Sequence, residues 1–335
     1  MKIAFLDPLE QRLLEFPKTY LGSHEVLTTT ERGVLPAGAE DAEAIVWWAY
    51  PVDRGLIEGL PRLGFAQRIG LIRTKGDATA ALAKGIPVSA LPHGVSDRVG
   101  QRALALTLAV LHQMRAGHNA MIEGRNPNSF PEVEAIGPPA AMNWTGTPWP
   151  DTLNDKTVGI VGYGEIGSCL PRLLRPFDCH VLYHKRTRLS PELEAYFDIE
   201  YASLEDVMRQ SDVVEGTLPY SEETRKLLDA KEFALMKPGA IFINVGRGNT
   251  VDEPAMIEAL QDGTLAYAGL DVFSVEPLPS TSPLLKLDNV VLTPHNAGGT
   301  PGWVNTFQRI AENLRRVEAG RTPLLAMSAG DPQFP

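Results

Sequence analysis

Three short segments in the second half of this 335-residue chain place reactive side chains just after apolar runs. NVGRG (residues 244–248) follows AIFI and carries Arg247, GLDVFSVEP (residues 269–277) carries Asp271 and Glu276, and VVLTPHNAG (residues 290–298) carries His295. Taken singly, each has a plain structural reading: a turn arginine, a solvated glutamate before proline, a surface histidine. Taken together they are an anion anchor, a carboxylate and a proton carrier. Arginine stays charged and grips a carboxylate through two N–H groups. Histidine exchanges protons near neutral pH, and a carboxylate beside it stabilises the imidazolium form. Such a set suits a reaction that polarises a carbonyl and moves a proton.

A fourth segment supplies the co-reactant. VGIVGYGEIG (residues 158–167) contains Gly-x-Gly-x-x-Gly at Gly162, Gly164 and Gly167, directly after a predicted strand and before a helical pattern of Ile166, Leu170, Leu173, Leu174 and Phe177. The first glycine allows a tight turn, the second lets backbone approach a pyrophosphate, and the third lets helix and strand pack closely. Tyr163, Glu165 and Ile166 lie inside the same turn and belong to the predicted nucleotide site. Pro171 is a misfit early in the helix, where it removes an N–H and predicts a kink. The next strand ends at His184, where an NAD site usually has a carboxylate for the ribose hydroxyl. Here His184, Lys185, Arg186 and Thr187 stand instead. That turn favours a 2′-phosphate, hence NADP over NAD.

These segments need a scaffold that ends strands side by side. Apolar runs at residues 2–6, 44–48, 68–72 and 87–89 read as strands of a first unit. Runs at 158–162, 180–184, 212–218, 240–245, 267–272 and 290–293 form a second series. Alternation with helical patterns predicts an α/β fold with parallel sheets, in which ligands bind beyond the carboxyl ends of the strands. The expected fold is two Rossmann-like, doubly wound domains with a cleft between them. Residues 1–95 plus 301–335 are the expected substrate-binding domain and 96–300 the dinucleotide-binding domain. Residues 99–114 are apolar on nearly every side, which predicts a buried helix at a domain or subunit interface. Residues 126–150 are rich in proline and carry Trp144 and Trp149, predicting a long loop whose tryptophans pack somewhere. Trp303, Phe307, Ile310, Leu314 and Val317 recur at helical spacing until Gly320 and Pro323, predicting a last helix that returns to the first domain.

Composition narrows the class further. Thirty-one Lys and Arg against 41 Asp and Glu give a net charge of -10, a poor match to nucleic acid. No apolar run approaches the roughly 20 residues of a membrane span, and the start, MKIAFLD, reads as a strand rather than a signal peptide. A cytoplasmic enzyme without metal or membrane partner is expected, with Cys169 and Cys179 as reduced, buried thiols.

The stretch from residue 237 to 298, with KPGAIFINVGRG, AGLDVFSVEP and NVVLTPHNAG in order, resembles the D-isomer-specific 2-hydroxyacid dehydrogenase family. The resemblance is strong over about residues 157–300, and YHKRTRLSPE (residues 183–192) is most similar to the glyoxylate and hydroxypyruvate reductase branch. It implies an NAD(P)-dependent oxidoreductase acting on a 2-hydroxy acid or 2-keto acid, and a homodimer. By that resemblance Arg247 binds the substrate carboxylate, His295 is the acid in reduction and the base in oxidation, and Glu276 pairs with it. It further implies cofactor contacts at Thr217, Leu218, Pro219, Val245, Gly246, Asp271 and His295.

Two positions depart from the family. Where it carries a glycine-rich turn for the substrate carboxylate, this chain has Arg73, Thr74, Lys75 and Gly76. Those cations read either as surface charge or as contacts to an extra anionic group on the substrate. The second reading keeps open a phosphite dehydrogenase-like oxidoreductase. Gly100, Gln101 and Arg102 stand where the family has an acidic residue. Two further alternatives are formate oxidation, which the presence of Glu276 disfavours, and a nucleotide-sensing corepressor-like binding protein.

Overall fold

Runs of four or five apolar residues become strands wherever helices can cover both faces of the resulting sheet. The structure, a computed structural model, describes residues 1–31, 34–48, 52–70, 79–134 and 142–328. Among these residues two all-parallel sheets form, and the chain divides into two compact units, 1–98 with 298–335 and 99–297.

The first unit contains β1 (Lys2–Phe5), β2 (Glu25–Thr28), β3 (Ala44–Trp47), β4 (Phe65–Ile69) and β5 (Val88–Leu91), in the order β2-β1-β3-β4-β5. Alternate residues serve opposite faces. Ile3, Phe5 and Val46 pack with Trp303, Phe307, Ile310 and Leu314, whereas Ala4, Ile45 and Trp47 pack with Ile57, Leu60 and Ala81. The last helix, Gly299–Glu318, supplies the first of those layers. Its buried Asn313 donates to Gln67 Oε1 at 2.8 Å and Ser89 Oγ at 2.9 Å, and accepts from the Leu324 amide at 2.6 Å. Gly320, at φ +65°, lets the chain turn back as the spacing predicts.

The second unit contains β6 (Thr157–Val161), β7 (His180–His184), β8 (Glu200–Tyr201), β9 (Val213–Gly216), β10 (Ile241–Asn244), β11 (Tyr267–Leu270) and β12 (Val290–Leu292), in the order β12-β11-β10-β9-β6-β7-β8. The order reverses between β6 and β9, the kind of switch point at which doubly wound sheets bind ligands. The register is the feature that matters for function. His184 pairs with Val161, Val161 with Gly216, Gly216 with Asn244, Asn244 with Leu270, and Leu270 with Leu292. One straight row of residues therefore crosses six strands at their carboxyl ends.

Several expectations need correction. The strand expected at 68–72 lies three residues earlier, at Phe65–Ile69, because Gln67 is buried inside it despite being polar. β2 and β8 were not expected; both are sheet edges, too polar or too short for an apolar run. The helix expected over 99–114 runs from Ser96 to Leu111 and then breaks at Gln113, φ +52°, before a second helix, Met114–Ile122. It is not buried on all sides: Ala103, Leu106, Thr107 and Val110 face inward while Ala105 is exposed. No helix or strand occurs within the described part of 126–150, and Trp144 and Trp149 are exposed rather than packed. Among the described residues Cys169 and Cys179 form no disulfide, and both are half-buried instead of buried.

Candidate active site

Each chemical segment begins one to three residues beyond the row of paired residues. Gly162 follows Val161, Lys185 follows His184, Thr217 follows Gly216, Arg247 lies three past Asn244, Asp271 follows Leu270, and His295 lies three past Leu292. With neighbouring strands about 4.8 Å apart, the ends of β10 and β12 are only about 10 Å apart across β11. Parallel pairing thus gathers side chains far apart in sequence along one sheet edge.

The glycine turn is held by backbone. Gly162, at φ +100°, donates to His184 O at 3.0 Å, and the Gly164 amide donates back to Gly162 O at 2.8 Å. A Cβ at Gly162 would lie 2.9 Å from the Leu218 nitrogen, and one at Gly167 would lie 2.7 Å from Gly162 O. Thr217 closes the same corner by donating its hydroxyl to Gly162 O at 2.6 Å. The buried glycines let the turn pack tightly and leave residues 164–166 partly exposed at a strand-to-helix turn, where backbone could meet a pyrophosphate, so these residues fit a dinucleotide. Tyr163 sends its side chain the other way, into the core, with its ring 4.8 Å from that of Tyr183. Any nucleotide contact it makes is through its backbone. Pro171 does not kink a long helix. The chain forms a 3-10 turn, Gly167–Cys169, and a short helix, Leu170–Leu174, in which Pro171 occupies the first turn and needs no N–H partner.

The basic turn after β7 is more exposed. His184 Nδ1 lies 3.1 Å from Ala202 O and its ring stacks on Tyr201. Desolvation pushes the Lys185 ammonium below its ordinary range. Thr187 is exposed, and Arg186 NH1 reaches Glu223 Oε2 at 2.7 Å, with both side chains largely in solvent. The local sequence holds no carboxylate, but the fold brings one from 37 residues away. Arg188 does a different job. Its guanidinium makes a two-pronged contact with Glu194 at 2.8 and 2.7 Å, and Tyr183 donates to the same carboxylate at 2.7 Å.

Beyond β10, Arg247 is exposed between two buried glycines. A side chain at Gly246 would strike Leu218 O, and one at Gly248 would strike the backbone of Phe273, so this turn packs tightly and projects only Arg247. Its NH1 donates to Gly246 O at 2.7 Å, while its carbonyl accepts from Thr250 Oγ1 at 2.7 Å. Val245 and Leu218 are buried and Pro219 is exposed.

His295 and Glu276 meet. His295 Nδ1 lies 2.6 Å from Glu276 Oε2, and Glu276 Oε1 accepts the Phe273 amide at 3.0 Å. A carboxylate only accepts, so Nδ1 carries the hydrogen and Nε2 is left for proton exchange. His295 itself sits at φ +48°, in the left-handed region that non-glycine residues seldom adopt. Asp271 is nearly fully buried, accepts from Thr293 Oγ1 at 2.6 Å and from the Ala297 amide at 3.4 Å, and lies 3.5 Å from Arg102 NH1. Arg102 also donates to Asn296 Oδ1 at 3.0 Å. In the sequence Arg102 is only a departure from the family; no local pattern signals its partners, which come from 169 and 194 residues away. Arg73, Thr74, Lys75 and Gly76 lie outside the described residues. Among the described residues, no helix is long and apolar enough to cross a membrane.

An α/β protein with a dinucleotide-type sheet and a His–carboxylate pair at its carboxyl edge belongs to the nucleotide-dependent dehydrogenases by architecture. Comparison narrows this. Residues 104–297 match the D-isomer specific 2-hydroxyacid dehydrogenase family, NAD binding domain, and the chain belongs to that family of NAD(P)-dependent oxidoreductases. It is 35% identical over 300 residues to glyoxylate/hydroxypyruvate reductase B of Shigella boydii serotype 4, covering 89% of this chain and 87% of the relative. It is 34% identical over 294 residues to glyoxylate reductase of Thermococcus litoralis, covering 87% and 85%. Among solved structures it is similar to an NADPH-dependent glyoxylate/hydroxypyruvate reductase of Sinorhizobium meliloti in complex with NADP and malonate. That match has a TM-score of 0.67 and 27% identity, covering all of this chain and 98% of the other.

Proposed function

We propose that this enzyme reduces small 2-keto acids of the glyoxylate and hydroxypyruvate class to D-2-hydroxy acids, with NADPH preferred over NADH. The observation that carries this reading is the 2.6 Å bond between His295 and Glu276 at the end of the row of strands. Bound nicotinamide dinucleotide would supply the hydride. Residues 162–167, 184–187, 217–219, 245–246 and Asp271 are the proposed holders of that cofactor. His295 donates a proton from Nε2 to the oxygen that gains charge during reduction, and takes it back in oxidation. Glu276 fixes the ring and balances the imidazolium charge. Arg247 anchors the substrate carboxylate with its guanidinium fork.

The unit built from residues 1–95 and 301–335 is the proposed substrate-binding domain, with Arg73, Thr74, Lys75 and Gly76 at its substrate contact; residues 96–300 are the proposed dinucleotide-binding domain. The NADPH preference draws support from Lys185 and Arg186, and from the cofactor named for the Sinorhizobium relative. Self-association as a homodimer belongs to the same proposal; Met114, Met121 and Ile122 provide exposed apolar surface for it.

The test is a steady-state screen of glyoxylate, hydroxypyruvate, 2-oxoglutarate and phosphite, each with both cofactors. Turnover of glyoxylate or hydroxypyruvate with NADPH above NADH is the expected result. Equal or better rates with NADH would reject the reading of residues 184–187. Turnover of phosphite alone would move the enzyme to the phosphite-oxidising branch. Tight NADPH binding without turnover on any acid would favour a nucleotide sensor.

A further inference from the structure

We infer that Arg102 is a positioning residue that holds the His295 segment in its working conformation, an inference that rests on His295 being the acid–base group. Four consecutive facts support it. His295 occupies a left-handed backbone conformation at φ +48°, which an L-residue keeps only when its surroundings impose it. The segment before it is tied down through Thr293, whose hydroxyl donates to Asp271 at 2.6 Å. The segment after it is tied down through Asn296, whose side-chain oxygen accepts from Arg102 NH2 at 3.0 Å, and through the Ala297 amide on Asp271 Oδ2 at 3.4 Å. Arg102 NH1 completes the ring by lying 3.5 Å from Asp271 Oδ1.

The charge logic points the same way. Asp271 is 1% exposed, and a buried carboxylate without a cation is costly. Among the described residues, Arg102, on the helix Ser96–Leu111, is a cation within ion-pair distance of it. A guanidinium is flat and forked, so one group can face Asp271 with NH1 and Asn296 with NH2 at once. A lysine ammonium could neutralise Asp271 but could not hold both partners in that fixed geometry. Arg102 therefore bridges the end of β11 to the chain just past β12, and His295 lies within the bridged stretch. Its main effect on the reaction is through the placement of His295, and it touches no substrate.

The test compares Arg102→Met, Arg102→Lys and Asn296→Ala in the full chain, with His295→Ala as the control for the underlying reading. Arg102→Met is expected to lower kcat on the best 2-keto acid by about 10- to 100-fold. KM for the acid should stay within about threefold of the parent's and the NADPH dissociation constant, by fluorescence titration, should change far less than kcat, while the thermal midpoint falls because Asp271 loses its cation. Arg102→Lys should recover only part of kcat, since the charge returns without the fork. Asn296→Ala should lower kcat less than Arg102→Met, and the double variant should be no worse than Arg102→Met, because both act through one bridge. An unchanged kcat in Arg102→Met, or a loss of NADPH affinity as large as the loss of kcat, would overturn the inference. So would full recovery by lysine, which would reduce Arg102 to a counter-charge. If Arg102→Met fails to fold, a parental kcat in Asn296→Ala overturns the bridge independently. Should His295→Ala keep parental turnover, the acid–base reading fails first and is recognised as the cause.

Discussion

The two ends of the second sheet are built by different rules. At the β11–β12 end, each polar side chain around His295 is held from more than one direction: Glu276 by the Phe273 amide and His295, Asp271 by Thr293, Ala297 and Arg102. At the β7 end, Arg186 meets Glu223 in a pair exposed to water. Exposed pairs contribute little and exchange partners readily. Asp271 is buried, and Glu276, partly exposed like its partner His295, is bonded from two sides, so these groups keep one geometry. The proposed proton-transfer end is thus preorganised, while the proposed phosphate-selecting end is a solvated turn in which Arg186 must leave Glu223 to meet a new anion. Rigidity sits where atoms would react and adaptability where a cofactor would be chosen.

Breaking the rigid end should cost most. His295→Ala is expected to lower kcat by about 10²- to 10⁴-fold while NADPH binding, followed by fluorescence, stays intact. Loss of cofactor binding in that variant would show that the histidine serves the nucleotide instead. Arg247→Lys should raise KM for the 2-keto acid and lower kcat/KM by about 10- to 100-fold, because the two-pronged contact is lost. A change in NADPH affinity alone would place Arg247 with the cofactor.

Between the two ends, β9 carries Glu215, which is fully buried; Oε1 accepts from Thr107 at 2.6 Å and, among the described residues, Oε2 has no partner. Burial pushes its carboxyl up to about 7, with the Thr107 bond opposing that rise. The folded value lies above the ordinary value of 4.5, so the folded state keeps its proton where the unfolded chain has lost it. The contribution to stability is full below about pH 4.5 and disappears as pH rises to about 7, a change of order ~3 kcal/mol. Chemical denaturation of Glu215→Gln should show that this part of the pH slope is gone. An unchanged slope would mean that Glu215 stays solvated or ionised in the folded protein.

The adaptable end should respond least, and in opposite directions. Arg186→Gln is expected to reduce the NADPH-to-NADH ratio of kcat/KM by about tenfold. Glu223→Gln should raise it by about two- to threefold, since the competing anion is removed. If both variants shift the ratio the same way, Arg186 and Glu223 are not rivals for one phosphate and the comparison between the ends loses its second half.

Legibility differed along the same lines. The glycine turn, the central strands of the second sheet and the last helix were readable because each is encoded by a continuous pattern within about ten to twenty residues. β4 was misplaced because Gln67 looks exposed in sequence, yet Asn313, 246 residues on, satisfies Gln67 in the interior. β2 and β8 were invisible because a sheet edge needs no apolar run. The pairing of Glu276 with His295 was anticipated only through family resemblance, since nothing in the spacing of 19 residues compels it. Glu223 and the partners of Arg102 had no local signal at all.

Sequence alone determined the alternation of strands and helices, the glycine turn at residues 162–167, and which residue types stand at the strand ends. These follow from periodicity and from glycine's missing side chain, both local properties. Tertiary structure alone decided that six strand ends share one row, that Arg102 reaches Asp271 and Asn296, and that a distant carboxylate occupies Arg186. Those facts depend on strand order and register, which long-range packing sets and no short window of residues contains.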